Sequence, residues 1–347
     1  MKRILVIVLL FFISLTFINC KKHISIDSYI EELASKGKFN GNILVVRNGE
    51  SVYENSFGFS DGSKTVKLTK DFRFDLGSVY KEFPAVSIMQ LQEKGLLNVE
   101  DKLDKYLIDL PIWASTISIK NLLQYTSGLP QVEWDKYFEK NERITDEKIK
   151  EDLLNIKELE FKPGKDYLYT NHSPILLSQV VEKITNQTFK AYVNQNLFIP
   201  FSLKSAVIHP EAPYLDKNLM AIPFDDDYEE DSYKVTISGA IFSLTANDLY
   251  NWIENLHTYK IINQESVKFL SEEADFFGNI QSPLGSVEWK NNRIIEHSHH
   301  GSAGNYECIV RRFNNDKDVL TIIVQTNQKH KNVGDISDEI KNILKFN

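Results

Sequence analysis

Residues 74–97 read "FDLGSVYKEFPAVSIMQLQEKGLL". A short extended run ends at Leu76, Gly77 breaks it, and a largely apolar segment at helical spacing follows from Ser78 to a glycine stop at Gly95. The stretch predicts a strand that runs straight into a helix, with Ser78 and Lys81 in the helix's first turn. Residues three apart share a helix face, so these two side chains can meet. A serine hydroxyl is a weak nucleophile unless a neighbouring base takes its proton. Lysine can be that base where desolvation lowers its pKa. A serine cap followed by a solvated lysine has the same local sequence, so the pair gains meaning only from motifs elsewhere in the chain.

On the N-terminal side of this stretch, residues 26–36 have amphipathic helical spacing, and residues 41–62 hold two β-rich runs around Asn48-Gly49, a hairpin signal. Phe72 to Leu76 reads as a third, short strand. On the C-terminal side the chain turns helical, with candidates at 101–107, 118–125, 145–156, 173–185 and 188–196, separated by "TSGLP", "FKPGKDY" and "FIPFSL". A helix over "TANDLYNWIENL" precedes strand runs at about 284–289, 293–297, 304–313 and 319–326, and a final helix covers about 334–345. Strands at both chain ends with helices between them predict an α/β protein of the α+β type. Its antiparallel sheet is built from both termini and flanked by helices, and a helical lobe is inserted at about residues 100–240.

Composition narrows the partners. Forty lysines and arginines against 48 acidic residues give a net charge of −8 over 347 residues, and no basic patch for a nucleic acid backbone is visible. The run "DDDYEED" at 225–231 lacks the spacing and glycine of a calcium loop and reads as a solvated acidic turn. At the N-terminus, Lys2 and Arg3 precede an apolar run from Ile4 to Ile18, and Cys20 follows. That run is shorter than a spanning helix and reads as a secretory segment. A cysteine at this junction resembles a bacterial lipoprotein signal. The expectation is a signal peptide at 1–19, a lipidated tether at 20–25, and one extracytoplasmic, membrane-anchored domain at 26–347, with an uncleaved anchor helix as the alternative. Cys308 alone remains for the domain and reads as a small buried hydrophobe.

Two further motifs accompany Ser78-x-x-Lys81. Tyr169-Thr170-Asn171 stands just before an apolar helix, and His299-His300-Gly301-Ser302 leads toward a strand. Ser-x-x-Lys, Tyr-x-Asn and a basic-x-Gly in this order resemble the serine β-lactamase and penicillin-binding-protein superfamily, in its branch of class C β-lactamases, D-peptidases and esterases. The flanks "ISIKNLLQYTSGLP", with Tyr125 where histidine is common, and "ISGAIFSLTANDLYNW" resemble the same branch, so the resemblance runs from about residue 26 to the end.

The resemblance implies roles. Ser78 is the acylated nucleophile, Lys81 and Tyr169 the proton-transfer pair, and Asn171 a partner of the substrate amide. The backbone N–H groups of Ser78 and Ser302 form the oxyanion hole, and Gly301 leaves room along the strand edge. The third motif departs from Lys-Thr-Gly. Aligning Gly301 and Tyr306 puts His299 at the lysine position, where it is expected to face substrate, with His300 at the threonine position. Loss of the permanent cation favours a peptidase or esterase over a true β-lactamase. His297 and His299 on one strand face, without an identified carboxylate, are thin support for zinc, and no metal or other cofactor is expected. The expected function is a serine hydrolase acting through a Ser78 acyl-enzyme on D-amino-acid or cell-wall peptides, small esters or β-lactams. A silent, ligand-binding relative is the alternative of another class.

Overall fold

A computed structural model describes residues 25–209, 219–232, 234–276, 278 and 280–346. The apolar N-terminal run and Cys20 lie outside them. Helix α1 (Ile26–Ser35) starts at a Ser25 capping box and leads to strands β1 (Gly41–Arg47) and β2 (Glu50–Phe57). Asn48 and Gly49 both adopt positive φ at the turn between them, as an Asn-Gly hairpin requires. Then come β3 (Phe74–Asp75), a 3₁₀ turn (Gly77–Lys81) and helix α2 (Glu82–Glu93). The helix predicted from Ser78 therefore begins four residues later. Pro84 has no N–H for the Tyr80 carbonyl, which fits the tighter hydrogen bonding of the preceding turn.

The middle of the chain carries α3 (Ile119–Leu123), α4 (Trp134–Phe138), β4 (Ile144–Thr145), α5 (Asp146–Asn155), α6 (His172–Thr185) and α7 (Phe189–Val193). The predicted helix 101–107 is only a 3₁₀ turn at Leu103–Lys105. Next are β5 (Val207–His209), β6 (Val235–Thr236), β7 (Ile241–Leu244), α8 (Ala246–His257) and α9 (Gln264–Leu270). The chain closes with β8 (Ser286–Lys290), β9 (Arg293–Ala303), β10 (Tyr306–Asn314), β11 (Val319–Thr326) and α10 (Val333–Ile343).

Six strands form one antiparallel sheet in the order β2-β1-β11-β10-β9-β8. Val45 opposite Ile322 and Leu44 opposite Ile323 join the two chain ends in its centre. Alternate residues of these strands serve two cores. Ile43, Val45, Ile322 and Val324 pack under α1 and α10, while Leu44, Val46, Ile323 and Cys308 pack on the face that holds α2 and α8. Both faces are covered, so β1 and β11 are apolar without interruption. Strand β9 extends six residues beyond the predicted 293–297 and turns into β10 at Gly304-Asn305. Its "HSHHGS" run lacked the look of a strand because both faces of this strand meet polar partners. Two small sheets, β3-β7-β5 and β4-β6, were not foreseen, since strands of two to four residues carry too little periodicity. Among the described residues no helix is long and apolar enough to cross a membrane.

Candidate active site

The turn before α2 is shaped by Asp75 and Gly77. Gly77 takes φ +51°, a conformation that favours glycine, and its N–H donates to Asp75 Oδ1 at 2.8 Å. This lifts Ser78 into a cleft of about 670 Å³. Ser78 is half-buried, whereas Lys81, one turn on, is only 3% exposed. Lys81 Nζ donates to Ser78 Oγ at 2.9 Å. Burial pulls the Lys81 pKa down to about 7, against the opposing charge of Asp75. A group with that pKa can hold or release a proton near neutrality, as a general base must.

Tyr169 stands beside this pair. Lys81 Nζ lies 4.9 Å from its ring centroid, over the ring face rather than on the hydroxyl. The ring packs against that of Tyr125, with centroids 4.7 Å apart. The Tyr169 hydroxyl is buried and makes no hydrogen bond of ordinary geometry. Burial raises its pKa to about 12, with Ser78 close enough to pull in the other direction. Within the expected proton-transfer pair the two members therefore differ. Lys81 titrates near neutral pH, and Tyr169 stays a phenol. Asn171, ahead of α6, lines the cleft and has no capping duty for its side chain.

Strand β9 forms the opposite wall. A Cβ at Gly301 would stand 2.1 Å from Leu76 O and 2.6 Å from Ser78 N, and one at Gly77 would stand 2.3 Å from Ser302 N. Two bare glycines thus let β9 press on the 3₁₀ turn, and the backbone nitrogens of Ser78 and Ser302 are brought to the same edge of the cleft. That is the arrangement an oxyanion hole needs.

The structure departs from expectation at the histidines. His299 is buried, does not line the cleft, and puts Nδ1 2.6 Å from Glu82 Oε1. His300 alternates to the other face and bonds Glu307 at 2.9 Å. Neither lines the cleft: position 299 is turned inward under α2, and His300 is held at the surface by Glu307. Glu82 is also the carboxylate missing from the zinc argument, lying 3.5 Å from His297 Nε2. The 2.6 Å contact to His299 is that of a shared proton. Two ligands of one tetrahedral zinc sit about 3.3 Å apart, given Zn–N bonds near 2.05 Å.

Several lining residues had no sequence signal beyond proximity to a motif: Asp75 and Tyr80 beside the nucleophile, and Trp134 and Phe138 from the unforeseen α4. Asp231, read as part of a solvated acidic run, also lines the cleft and accepts from Asn305 N at 2.8 Å. The other wall is apolar, with Ile175, Val235, Ile237 and Ile241.

Comparison with known proteins agrees with this fold. A family profile described as Beta-lactamase matches residues 26–344. Penicillin-binding protein 4* of Bacillus subtilis (strain 168) is 28% identical over 273 residues, covering 72% of this chain and 58% of that protein. The chain therefore spans little more than half the length of that curated relative. A penicillin binding protein from Bacillus halodurans superimposes with a TM-score of 0.76 at 21% identity, over 91% of this chain and 99% of the other. A D-amino acid amidase from Ochrobactrum anthropi SV3 does so with a TM-score of 0.74 at 18% identity, over 92% and 98%. With its profile match across nearly the whole described chain and the same fold in these neighbours, the protein belongs to the β-lactamase family of serine hydrolases and penicillin-binding-protein relatives.

Proposed function

We propose that this protein hydrolyses small neutral acyl substrates, esters or amides of D-amino-acid type, through an acyl-enzyme on Ser78. The observation that carries the reading is Lys81 Nζ at 2.9 Å from Ser78 Oγ in a desolvated setting that pulls the lysine pKa to about 7. The neutral amine takes the Ser78 proton as Oγ attacks the carbonyl. The tetrahedral oxyanion is held by the N–H groups of Ser78 and Ser302. Tyr169, a phenol beside Ser78, gives its proton to the leaving group as the scissile bond breaks and regains one from the Lys81 ammonium. A water, deprotonated by the neutral Lys81 so restored, then cleaves the Ser78 ester and releases the acid, while Asn171 holds the acyl-side amide.

The choice among substrates rests on charge. Among the described residues lining the cleft, Lys81 is the one cation, while Asp75, Asp135 and Asp231 are acidic. Such a lining supports an ester or amide over a β-lactam or a C-terminal peptide, whose free carboxylate has no cation to meet here. The apolar wall suits a hydrophobic acyl group. We place the cleft outside the cytoplasm, on a lipid anchored at Cys20, from the N-terminal sequence alone. Loss of lipid label in Cys20→Ser is the check.

The test of the reaction is labelling with a fluorophosphonate, followed by turnover of p-nitrophenyl esters, D-aminoacyl amides and nitrocefin. Labelling of wild type and not of Ser78→Ala, with esters and amides turned over faster than nitrocefin, is expected. No labelling of wild type would favour a silent, ligand-binding relative. Fast nitrocefin turnover would favour a β-lactamase.

A further inference from the structure

We propose that Glu82 is a positioning residue for the oxyanion hole: its carboxylate ties the start of α2 to β9 through His299 and so fixes the spacing between the backbone N–H groups of Ser78 and Ser302. The inference rests on the acyl-enzyme reading above.

Glu82 follows Lys81 directly and is fully buried. Its Oε2 accepts from Trp252 Nε1 of α8 at 2.6 Å, and its Oε1 is 2.6 Å from His299 Nδ1 of β9. His297, also on β9, lies 3.5 Å from the same oxygen, bonds the Leu284 carbonyl at 2.7 Å and meets His257 Nε2 at 2.9 Å. One carboxylate thus gathers α2, α8 and β9. Burial alone would push its pKa up, but hydrogen bonds from His297 and His299 outweigh that and hold it at about 2. The two histidines thus favour its carboxylate form.

The tie runs close to the chemistry on both sides. Ser78 is four residues before Glu82, and Ser302 is three after His299. Between them β9 and the 3₁₀ turn come closest at Gly301 and Gly77, where a single methyl would clash with the facing backbone. Glycines allow a close approach but cannot set its distance. A directional bond from a carboxylate to His299, with the same carboxylate held by Trp252 of α8, can. Apolar packing of similar volume generally fills such a buried place at no loss of stability, so stability alone does not account for a charge here. Nor does the charge serve the base. The groups that bear on Lys81 are Asp75 of β3, His299 of β9 and, through contact, Ser78, Tyr80 and Tyr169, and its pKa is set by burial and Asp75 rather than by Glu82.

The experiment compares wild type, Glu82→Leu and Glu82→Gln at a temperature where all are folded. Wild type is first labelled by a fluorophosphonate. A wild type that neither labels nor turns over sinks the acyl-enzyme reading. With labelling established, Glu82→Leu should lose kcat about 100-fold, the effect of misplacing reacting groups by roughly an ångström. KM should stay within threefold, the acid limb of the pH profile should stay in place, and the inhibition constant of a phenylboronic acid, whose tetrahedral adduct uses the oxyanion hole, should rise about tenfold or more. Glu82→Gln keeps one acceptor oxygen and should lose less. A folded Glu82→Leu with kcat and boronate affinity within twofold of wild type overturns the assignment and leaves the acyl-enzyme reading standing. Should Glu82→Leu not fold, His299→Leu and His299→Gln are read instead. Glutamine can still donate to Glu82 and should recover most of the kcat that leucine loses, and equal rates in the two overturn the proposal.

Discussion

A methyl group on Gly301 would stand 2.1 Å from the Leu76 carbonyl oxygen, because β9 lies against the nucleophile's turn with no side chain between them. The neighbour is backbone and cannot swing away, so β9 or the turn must move. Gly301→Ala should fold, with a loss of about 1–3 kcal/mol in urea unfolding, and kcat should fall at least about 100-fold. Near-wild-type turnover would show that the contact is not tight in solution.

The Lys81 pKa of about 7 makes a prediction about pH. Protonated Lys81 cannot accept the Ser78 proton, so kcat/KM should rise with pH through about 7 and then level. Lys81→Arg stays protonated throughout and should lose activity by three orders of magnitude or more. A profile flat from pH 5.5 to 8.5 would exclude Lys81 as the base.

The same burial makes Lys81 costly to stability. Its folded pKa near 7 lies below the unfolded value of about 10.4. Between these values the unfolded chain binds more protons, so stability rises with pH across this window, and the penalty is complete below pH 7. Lys81→Met should abolish turnover yet raise stability at pH 6 by on the order of 1 kcal/mol, with a weaker pH dependence between 7 and 10. Chemical denaturation at pH 6 and pH 9 reads both.

Tyr169 differs from Lys81 in what it holds. Its hydroxyl is buried without a hydrogen bond, so Tyr169→Phe should leave stability unchanged or slightly higher. Turnover should drop about 10²- to 10⁴-fold if the hydroxyl transfers a proton. A phenylalanine variant as active as wild type would leave Tyr169 as a packing partner of Tyr125.

Selectivity is expected to follow Asp231 rather than the histidines. Asp231→Asn removes one anion from the cleft lining. The ratio of kcat/KM for a carboxylate-bearing ester over a neutral ester should then rise roughly 3- to 10-fold, the scale of one partly screened charge at a few ångströms. An unmoved ratio would mean that the acidic lining does not choose the substrate.

Much of this architecture was legible in residue order. The hairpin at Asn48-Gly49, the amphipathic α1 and α10, and the apolar strands β1 and β11 announce themselves through local periodicity and turn chemistry, which need no knowledge of distant partners. Ser78, Lys81, Tyr169 and Asn171 were named by the resemblance of three ordered motifs to a family, and the fold brings all four to one cleft or its back wall. The short strand β3 was read from Phe72 to Leu76, but its partner β7, about 170 residues on, was not, since four residues leave no period to read.

The burial and pairing of Glu82 and His299 were decided by tertiary structure alone. A strand's period of two says that His299 and His300 face opposite ways, but not which face looks on the cleft. Glu82 has the sequence of an exposed helix residue. Its partners lie 170 and 217 residues away, and a carboxylate's burial depends on whether such distant donors arrive to replace its water. Chain order cannot express that condition, which is met only when the sheet closes on α2.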